Sequence, residues 1–144
     1  MVKIRFYDPS FKPPGILTYS VIVARFGGKW MFVRHRKRET LEIPGGHIED
    51  NESSGEAAYR ELYEETGSTQ FELQCVSTYS VEQNGKTGYG RLYFAEVSER
   101  GEINDKSEIE ELILSEELPD NLTYPEIQPA LFDHVIKYVS NKGP

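Results

Sequence analysis

The stretch that decides the fold runs from Gly46 to Gly67 and reads GHIEDNESSGEAAYRELYEETG. Within it, Glu61, Glu64 and Glu65 stand at positions i, i+3 and i+4. A helix advances about 100° per residue, so these side chains fall within an arc of roughly 100°. Like charges at this spacing repel by roughly 0.2–0.5 kcal/mol per pair on an exposed helix. The cluster therefore predicts a site for a divalent cation, because hard cations such as Mg²⁺ prefer oxygen ligands.

The helix that carries these carboxylates is expected to run from about residue 53 to residue 66. Ser53 and Glu56 have the spacing of a capping box, in which each side chain bonds the backbone of the other residue. Gly67 follows the last helical residue, where glycine is favoured because it adopts a left-handed conformation without strain.

The two faces of this helix are expected to differ. The apolar stripe predicted to face the core consists of Tyr59, Leu62 and Tyr63. Small residues are expected on the opposite face, beside the carboxylates, and they are Ser54, Ala57 and Ala58.

Strands are expected on both sides of this segment. The predicted strands cover residues 16–26, 29–35, 41–43, 71–81, 89–97 and 109–114. Gly27-Gly28 and Asn84-Gly85 have the composition of two-residue hairpin turns. Residues 115–118 could form a helical turn, and residues 125–140 have the periodicity of an amphipathic helix. This order of elements predicts an α/β (α+β) protein with a mixed sheet between two helices.

The composition narrows the classes of protein and partner. At 144 residues the chain is expected to be one domain, 1–144, as a monomer or homodimer. A net charge of −8 repels polyanions, so nucleic-acid polymers are poor candidate partners. The chain has no apolar run near the roughly 18 residues that span a bilayer and no signal-peptide core at its start. With one cysteine, Cys75, these features predict a soluble, cytoplasmic protein.

The spacing of the fixed residues resembles the signature of the Nudix hydrolases, G-x5-E-x7-R-E-U-x-E-E-x-G-U, where U is a bulky apolar residue. The matching residues are Gly46, Glu52, Arg60, Glu61, Leu62, Glu64, Glu65 and Gly67. Ser68 occupies the last apolar position and departs from the pattern. The preceding LEIPGG, residues 41–46, is similar to the approach strand of the MutT-like branch. The resemblance implies an α/β/α sandwich that hydrolyses diphosphate-linked substrates with Mg²⁺ or Mn²⁺.

The resemblance also implies a set of metal ligands. By their position in the motif, Glu61, Glu64 and Glu65 would bind the metal, and the carbonyl oxygen of Gly46 could join them. In MutT-like relatives a further glutamate from a later loop completes the site. The acids available here are Asp105, Glu108, Glu110 and Glu111, of which Glu108 is favoured.

The residue that acts as general base stays open at this point. Glu64, Glu52 and a downstream acid are the candidates, and Glu52 could also bind the metal through water. Arg60 is expected to pair with the acids and orient them rather than to contact the substrate. Glu64, Glu52 and Arg60 thus form the predicted catalytic set.

A basic run, Arg34–Arg38, lies just before the motif in an otherwise acidic chain. It is either a solvated loop or an edge that contacts phosphate, a role that suits the guanidinium fork of arginine. The resemblance favours Arg36, with Arg34 next. Asn121 and Tyr124 lie in a segment that can contact the base in MutT-like proteins, and Asn121 is included in the predicted substrate site.

Several functions remain open from the sequence. The leading hypothesis is a (d)NTP pyrophosphohydrolase of the 8-oxo-dGTP diphosphatase type, acting on a small nucleotide. The alternatives within the family are hydrolases of ADP-ribose, nucleotide sugars or dinucleoside polyphosphates. A Nudix module that senses nucleotides without catalysis is a further alternative, although such modules usually lose carboxylates that are intact here.

Overall fold

The fold is a seven-stranded sheet with one helix on each face. A computed structural model describes residues 1–142, so the predicted domain 1–144 extends two residues beyond the described ones. The elements are β1 (Val2–Tyr7), β2 (Leu17–Phe26), β3 (Lys29–His35), β4 (Gly45–His47), α1 (Ser54–Thr66), β5 (Ser68–Gln83), β6 (Lys86–Arg100), β7 (Ile109–Ser115) and α2 (Gln128–Lys142). Neither helix in residues 1–142 is long and apolar enough to cross a bilayer.

The sheet is mixed, and its strand β2 changes partner along its length. The strand order is β1-β5-β6-β2-β3-β7, and β4 pairs with β2 off this path. The pair β2–β6 is parallel, whereas the other pairs are antiparallel. On its other edge, β2 pairs with β4 from Tyr19 to Val21 and with β3 only at Arg25 and Phe26. β3 and β4 therefore diverge from each other, and the gap between them opens beside α1.

Alternation along β2 divides the core into two layers. Successive side chains of a strand point to opposite faces of the sheet. The layer under α2 includes Val21, Val23, Leu131 and Val135. The layer under α1 includes Ile22, Ala24, Ala58 and Leu62. The predicted mixed sheet between two helices is confirmed.

Both predicted ends of α1 are confirmed. The Ser53 hydroxyl accepts a hydrogen bond from the backbone N–H of Glu56 at 3.0 Å, and the Glu56 carboxylate accepts one from the N–H of Ser53 at 2.9 Å. Gly67 has φ 73°, and its N–H donates to the carbonyl oxygen of Tyr63 at 2.9 Å. These bonds satisfy backbone groups that a helix leaves unpaired at its ends.

The predicted faces of α1 are wrong for two of the three stripe residues. Tyr59 and Tyr63 are each 55% exposed, whereas Ala57, Ala58 and Leu62 are fully buried. Because the alanines are small, the helix can lie close to the sheet, and no space remains there for a tyrosine ring. Tyr59 instead packs on the ring of Phe71, with the ring centroids 4.7 Å apart.

The segment before the motif also differs from its prediction. The short strand expected at 41–43 contributes only isolated bridges, from Glu42 to Val33 and from Leu41 to Leu122. The strand β4 begins instead at Gly45, two residues beyond the predicted strand, and runs to His47. A Cβ atom at Gly45 would lie 2.6 Å from the carbonyl oxygen of Ser20, so this close pairing with β2 requires glycine.

Three smaller differences concern strand ends and connections. The possible helical turn at 115–118 is absent, and Ser115 ends β7 with its hydroxyl bonded to the backbone of Glu117. The first strand, β1, was not predicted, and it pairs with the end of β5. Ser68 stands where the motif has an apolar residue, and it is nevertheless fully buried, because its hydroxyl forms a hydrogen bond of 2.6 Å with that of Thr66.

We predict that Gly67→Ala destabilises the protein more than Gly85→Ala. Both glycines have positive φ, 73° and 76°, so alanine adds a backbone strain of about 1–2 kcal/mol at either position. At Gly67 the added Cβ would also lie 2.5 Å from the carbonyl oxygen of Gly101, whereas nothing lies within 4 Å at Gly85. Urea unfolding of the two variants measures the difference, and equal losses of unfolding free energy would show that the contact at Gly67 is unimportant.

Candidate functional site

A cleft of about 620 Å³ opens where β3 and β4 diverge next to α1. Its acidic wall comes from α1 and includes Glu61 and Glu65. The glycines of β4 form its floor, and the basic run at the end of β3 forms the opposite wall. The cleft therefore brings together acidic and basic segments of the chain.

The acidic wall is built by close contact between α1 and β4. A Cβ atom at Gly46 would lie 1.8 Å from Oε2 of Glu61, so the glycine leaves the space that this carboxylate occupies. Glu65 is only 7% exposed, and its Oε1 accepts a hydrogen bond from the N–H of Gly45 at 3.0 Å. The two glycines thus position two carboxylates, one by sterics and one by a hydrogen bond.

Burial makes these two carboxylates unusually basic. Burial raises the pKa of Glu61 to about 7, an effect that Arg60 opposes and Glu64 reinforces. Burial likewise raises the pKa of Glu65 to about 8, opposed by the hydrogen bond from Gly45 and reinforced by Glu61. A nearby cation would relieve both effects, since it favours the ionised form.

The donor chemistry fits a hard divalent cation, although the side chains are not gathered around one point. Glu61, Glu64 and Glu65 offer only oxygen donors, as Mg²⁺ and Mn²⁺ prefer. Within residues 1–142, no group of three His, Cys, Asp or Glu side chains is arranged to hold a metal. Instead, Glu61 and Glu64 each accept a hydrogen bond of 3.0 Å from Nη1 of Arg60.

Arg60 connects acids of α1 with Glu52, which lies just before that helix. Its Nε donates to Glu52 at 2.7 Å, and Nη2 donates to Glu52 at 3.0 Å and to the carbonyl oxygen of His47 at 3.1 Å. These bonds hold the pKa of Glu52 down at about 2 and raise the pKa of Arg60 itself. The guanidinium therefore orients Glu52, Glu61 and Glu64 together, and its N–H donors are turned toward protein groups.

The predicted fourth acid, Glu108, reaches the same cleft. Its side chain is 90% exposed and lies 3.9 Å from Nδ1 of His35. The loop that carries it docks on α1, because the hydroxyl of Ser107 donates to the carbonyl oxygen of Glu64 at 3.1 Å. Two of the other acids considered for this role are engaged elsewhere, with Glu110 bonded to Arg36 at 2.7 Å and Glu111 to Arg34 at 3.2 Å.

The two arginines predicted to bind substrate contact the protein itself. Arg36 lines the cleft, but its guanidinium donates to the carbonyl oxygens of Ser107 at 3.0 Å and Asp105 at 3.3 Å, in addition to Glu110. Arg34 donates to Glu111 and to the carbonyl oxygen of Arg38. Their contact with substrate stays a prediction, and the observed bonds give Arg36 a second role in holding the loop of Glu108.

Other basic residues of the same run face the cleft, and the sequence analysis did not single them out. His35 Nε2 lies 2.9 Å from a carboxylate oxygen of Glu42, and this contact raises the pKa of the imidazole. Arg38 pairs with the other oxygen of Glu42 and covers the ring of Tyr124. Lys37 also lines the cleft. The basic composition of the run made all three residues candidates for the cleft, but it could not show which of them would line it.

A second cleft of about 550 Å³ adjoins the first. The residues that line both are Tyr19, Val21, Tyr124 and Gln128. The second cleft is rich in aromatic side chains, with Tyr79 and Tyr89 in addition to the shared tyrosines. The backbone carbonyl oxygen of Asn121 accepts a hydrogen bond from the N–H of Leu41, and its side-chain amide donates to the carbonyl oxygen of Glu39 at 3.5 Å. Its contact with a base stays a prediction.

We predict that Gly46→Ala weakens cation binding while the fold survives. The new Cβ would displace the Glu61 carboxylate, which is the flexible end of a side chain rather than backbone. Mn²⁺ binding, followed by electron paramagnetic resonance, should weaken by roughly 10–100-fold, with little change in Tm.

Gly55→Ala is the matched control for this substitution. It lies in α1, where an added Cβ meets no atom closer than 3.7 Å. Its Mn²⁺ affinity should equal that of the wild type. If Gly46→Ala binds Mn²⁺ as tightly as the control, the position of Glu61 does not govern the cation site.

Comparison with known proteins identifies a family that this chain matches. The family described as NUDIX domain matches residues 16–134. A Bacillus subtilis (strain 168) protein named "Putative 8-oxo-dGTP diphosphatase YtkD" is 37% identical over 102 residues, which are 71% of this chain and 64% of that protein. The RNA pyrophosphohydrolase of Shewanella pealeana is 40% identical over 47 residues, which are 33% of this chain and 27% of that protein.

A solved structure extends the likeness over almost the whole chain. The Bacillus subtilis pyrophosphohydrolase BsRppH, solved as a point mutant, has a TM-score of 0.76 and 29% identity, and the match covers 95% of this chain and 90% of that one. The match of residues 16–134, the spacing of the motif from Gly46 to Gly67 and the acidic cleft agree with one another. The chain belongs to the Nudix hydrolase family.

Proposed function

We propose that this protein is a nucleoside triphosphate pyrophosphohydrolase that uses Mg²⁺ or Mn²⁺ and acts on oxidised purine nucleotides such as 8-oxo-dGTP. The observation that carries the proposal is the junction of the two clefts at Tyr19, Val21, Tyr124 and Gln128. A nucleoside triphosphate has the same two parts: a charged polyphosphate for the acidic cleft and an aromatic base for the tyrosine-rich cleft. Aromatic side chains can stack on the flat ring of a base, and carboxylates can bind the metal ion that accompanies a phosphate.

The relatives support the class of reaction more than the substrate. The protein named as a putative 8-oxo-dGTP diphosphatase is 37% identical, but this chain spans only 64% of its length. BsRppH is described as a pyrophosphohydrolase, and its likeness covers both chains almost fully. Hydrolysis of a diphosphate bond is therefore common to these named relatives, and 8-oxo-dGTP is the finer part of the proposal.

In the proposed site, Glu61, Glu64, Glu65, Glu108 and the carbonyl oxygen of Gly46 would hold the cation. When bound, the cation supplies charge stabilisation for the phosphates and lowers the pKa of a coordinated water. The protein's own part is to place these oxygens, which the contacts of Gly46 with Glu61 and of Gly45 with Glu65 do.

Glu64 is the better candidate for general base. Both carboxylate oxygens of Glu52 accept hydrogen bonds from Arg60, and the pKa of Glu52 near 2 makes it a weak proton acceptor. Glu64 is half exposed and accepts a single hydrogen bond from Arg60. A carboxylate that is oriented but still accessible suits proton transfer from water.

A second candidate function is removal of diphosphate from the 5′ end of RNA. The specific observation that favours it is the 40% identity over 47 residues to the protein of Shewanella pealeana named "RNA pyrophosphohydrolase". The net charge of −8 opposes binding of a long polyanion, so we place it second. An RNA end differs from a free nucleotide only beyond the first nucleoside, which makes the two functions separable by experiment.

The proposed function is tested by a panel of substrates assayed with Mg²⁺ and with Mn²⁺. The panel contains ordinary and oxidised nucleoside triphosphates, ADP-ribose, a nucleotide sugar, a dinucleoside tetraphosphate and 5′-triphosphorylated RNA. We expect release of diphosphate with a preference for oxidised purine triphosphates. Glu64→Gln is the control, because it keeps the size of the side chain, and it should lower kcat by at least about 100-fold.

The panel also separates the alternatives. Preference for RNA, ADP-ribose, a nucleotide sugar or a dinucleoside tetraphosphate would replace the proposed substrate with that class. Equal absence of turnover in the wild type and in Glu64→Gln across the panel would reject an enzyme and favour a nucleotide-sensing module.

We predict different effects for Arg36→Ala and Lys37→Ala. Arg36 holds the loop of Glu108, so its loss should accelerate hydrogen exchange of the amides in residues 105–110. Lys37 lines the cleft with no recorded ion pair among residues 1–142, so its loss should raise KM up to about fivefold without changing that exchange. A higher KM with unchanged loop exchange in Arg36→Ala would instead favour direct contact between Arg36 and phosphate.

A further inference from the structure

Gln128, the first residue of α2, lies at the boundary of the two clefts. It lines both of them, yet its side chain is almost entirely covered, with only 7% of the residue exposed. Its Oε1 atom accepts a hydrogen bond of 2.7 Å from the backbone N–H of Ile43. A buried amide in such a position is fixed by the segment that leads into β4.

The bond to Ile43 determines which way the amide points. A backbone N–H can only donate, so the atom that receives it must be the oxygen, and the NH₂ group takes the other position. Nε2 donates no hydrogen bond to any of residues 1–142. Because no fully buried side-chain nitrogen or oxygen in this part of the chain lacks a partner, Nε2 must keep some exposure to solvent, and the two clefts are the spaces that Gln128 lines.

We propose that Gln128 is a specificity-determining residue whose NH₂ group donates a hydrogen bond to an acceptor oxygen of the substrate's nucleoside. This inference rests on the proposed function, since it requires a nucleotide that spans both clefts. The position at their boundary faces the part of the substrate between the polyphosphate and the outer edge of the base. A fixed donor in a covered site rejects a ligand that presents another donor there, because both groups would then lose their hydrogen bonds to water.

Two substitutions at Gln128 test this role. Gln128→Glu keeps an oxygen for the N–H of Ile43 and replaces the donor with an acceptor, and it is assayed at pH 8.5 so that the carboxylate is ionised. Gln128→Met removes the donor without adding charge. The exposed Gln70, on β5, provides Gln70→Glu as a control for the added negative charge. Melting curves establish that each variant is folded.

Binding is measured with Mg²⁺ and the α,β-methylene triphosphates of guanosine and adenosine, in both ribose and deoxyribose forms. We expect both Gln128 variants to bind at least one of these ligands roughly tenfold more weakly, whereas Gln70→Glu binds all of them as the wild type does. A loss confined to guanosine would identify the oxo group of the base as the acceptor. A loss for both bases that disappears in the deoxyribose forms would identify the 2′ oxygen of the pentose, and one that persists in them would identify another pentose oxygen.

Inorganic tripolyphosphate tests whether the contact is to the nucleoside at all. The proposal requires that Gln128→Met, which adds no charge to the polyphosphate cleft, binds it as the wild type does, and a loss for tripolyphosphate equal to the loss for the nucleoside ligands would overturn the proposal. Wild-type affinity of both variants for every nucleoside ligand would also overturn it. The proposed function fails separately, if the wild type binds the analogues but hydrolyses none of the triphosphates in the substrate panel.

Discussion

The close contact between α1 and the glycines of β4 is the constraint on which the site depends. Glu61 occupies the space that a side chain at Gly46 would fill, and Glu65 is held by the N–H of Gly45. Both contacts require the helix to lie close to the sheet, which the fully buried Ala57 and Ala58 permit. The same closeness excludes water from the two carboxylates and raises the pKa of each. The close packing of α1 on the sheet is therefore also the reason why these two carboxylates have raised pKa values.

Arg60 compensates only part of this buried negative charge. It reaches Glu52, Glu61 and Glu64, but Glu65 lies on the inner side of α1 and has the N–H of Gly45 as its donor. Removing ionised groups from water is costly unless they are paired. Binding of a cation would therefore stabilise the folded protein as well as prepare the site, since a ligand specific for the native state shifts the folding equilibrium.

Local signals made the acidic half of the site predictable, and their limits explain the errors. The capping box, Gly67 and the spacing of the carboxylates all lie within one short segment, so they could be read directly. The faces of α1 were assigned by hydrophobicity. The close contact with the sheet, however, accommodates only small side chains, so the alanines are buried and Tyr59 and Tyr63 are exposed. The partners of Arg36 and Gln128 are distant in the chain, at residues 105–110 and at Ile43, and no local pattern identifies such contacts.

The basic wall depends on the pairing of β3 with β7 rather than on its own sequence. Arg34 pairs with Glu111 but the next residue, His35, pairs with Ile109, so Glu110 forms a bulge in the ladder. A bulge bends the strand and redirects nearby side chains. Beyond it, His35 lies beside Glu42, while Arg36 turns to bond Glu110 and the loop before it. Because this register, and not the motif, fixes the basic wall, changes in the bulge at Glu110 can reshape that wall, while the contacts with Gly46 and Gly45 keep Glu61 and Glu65 in place.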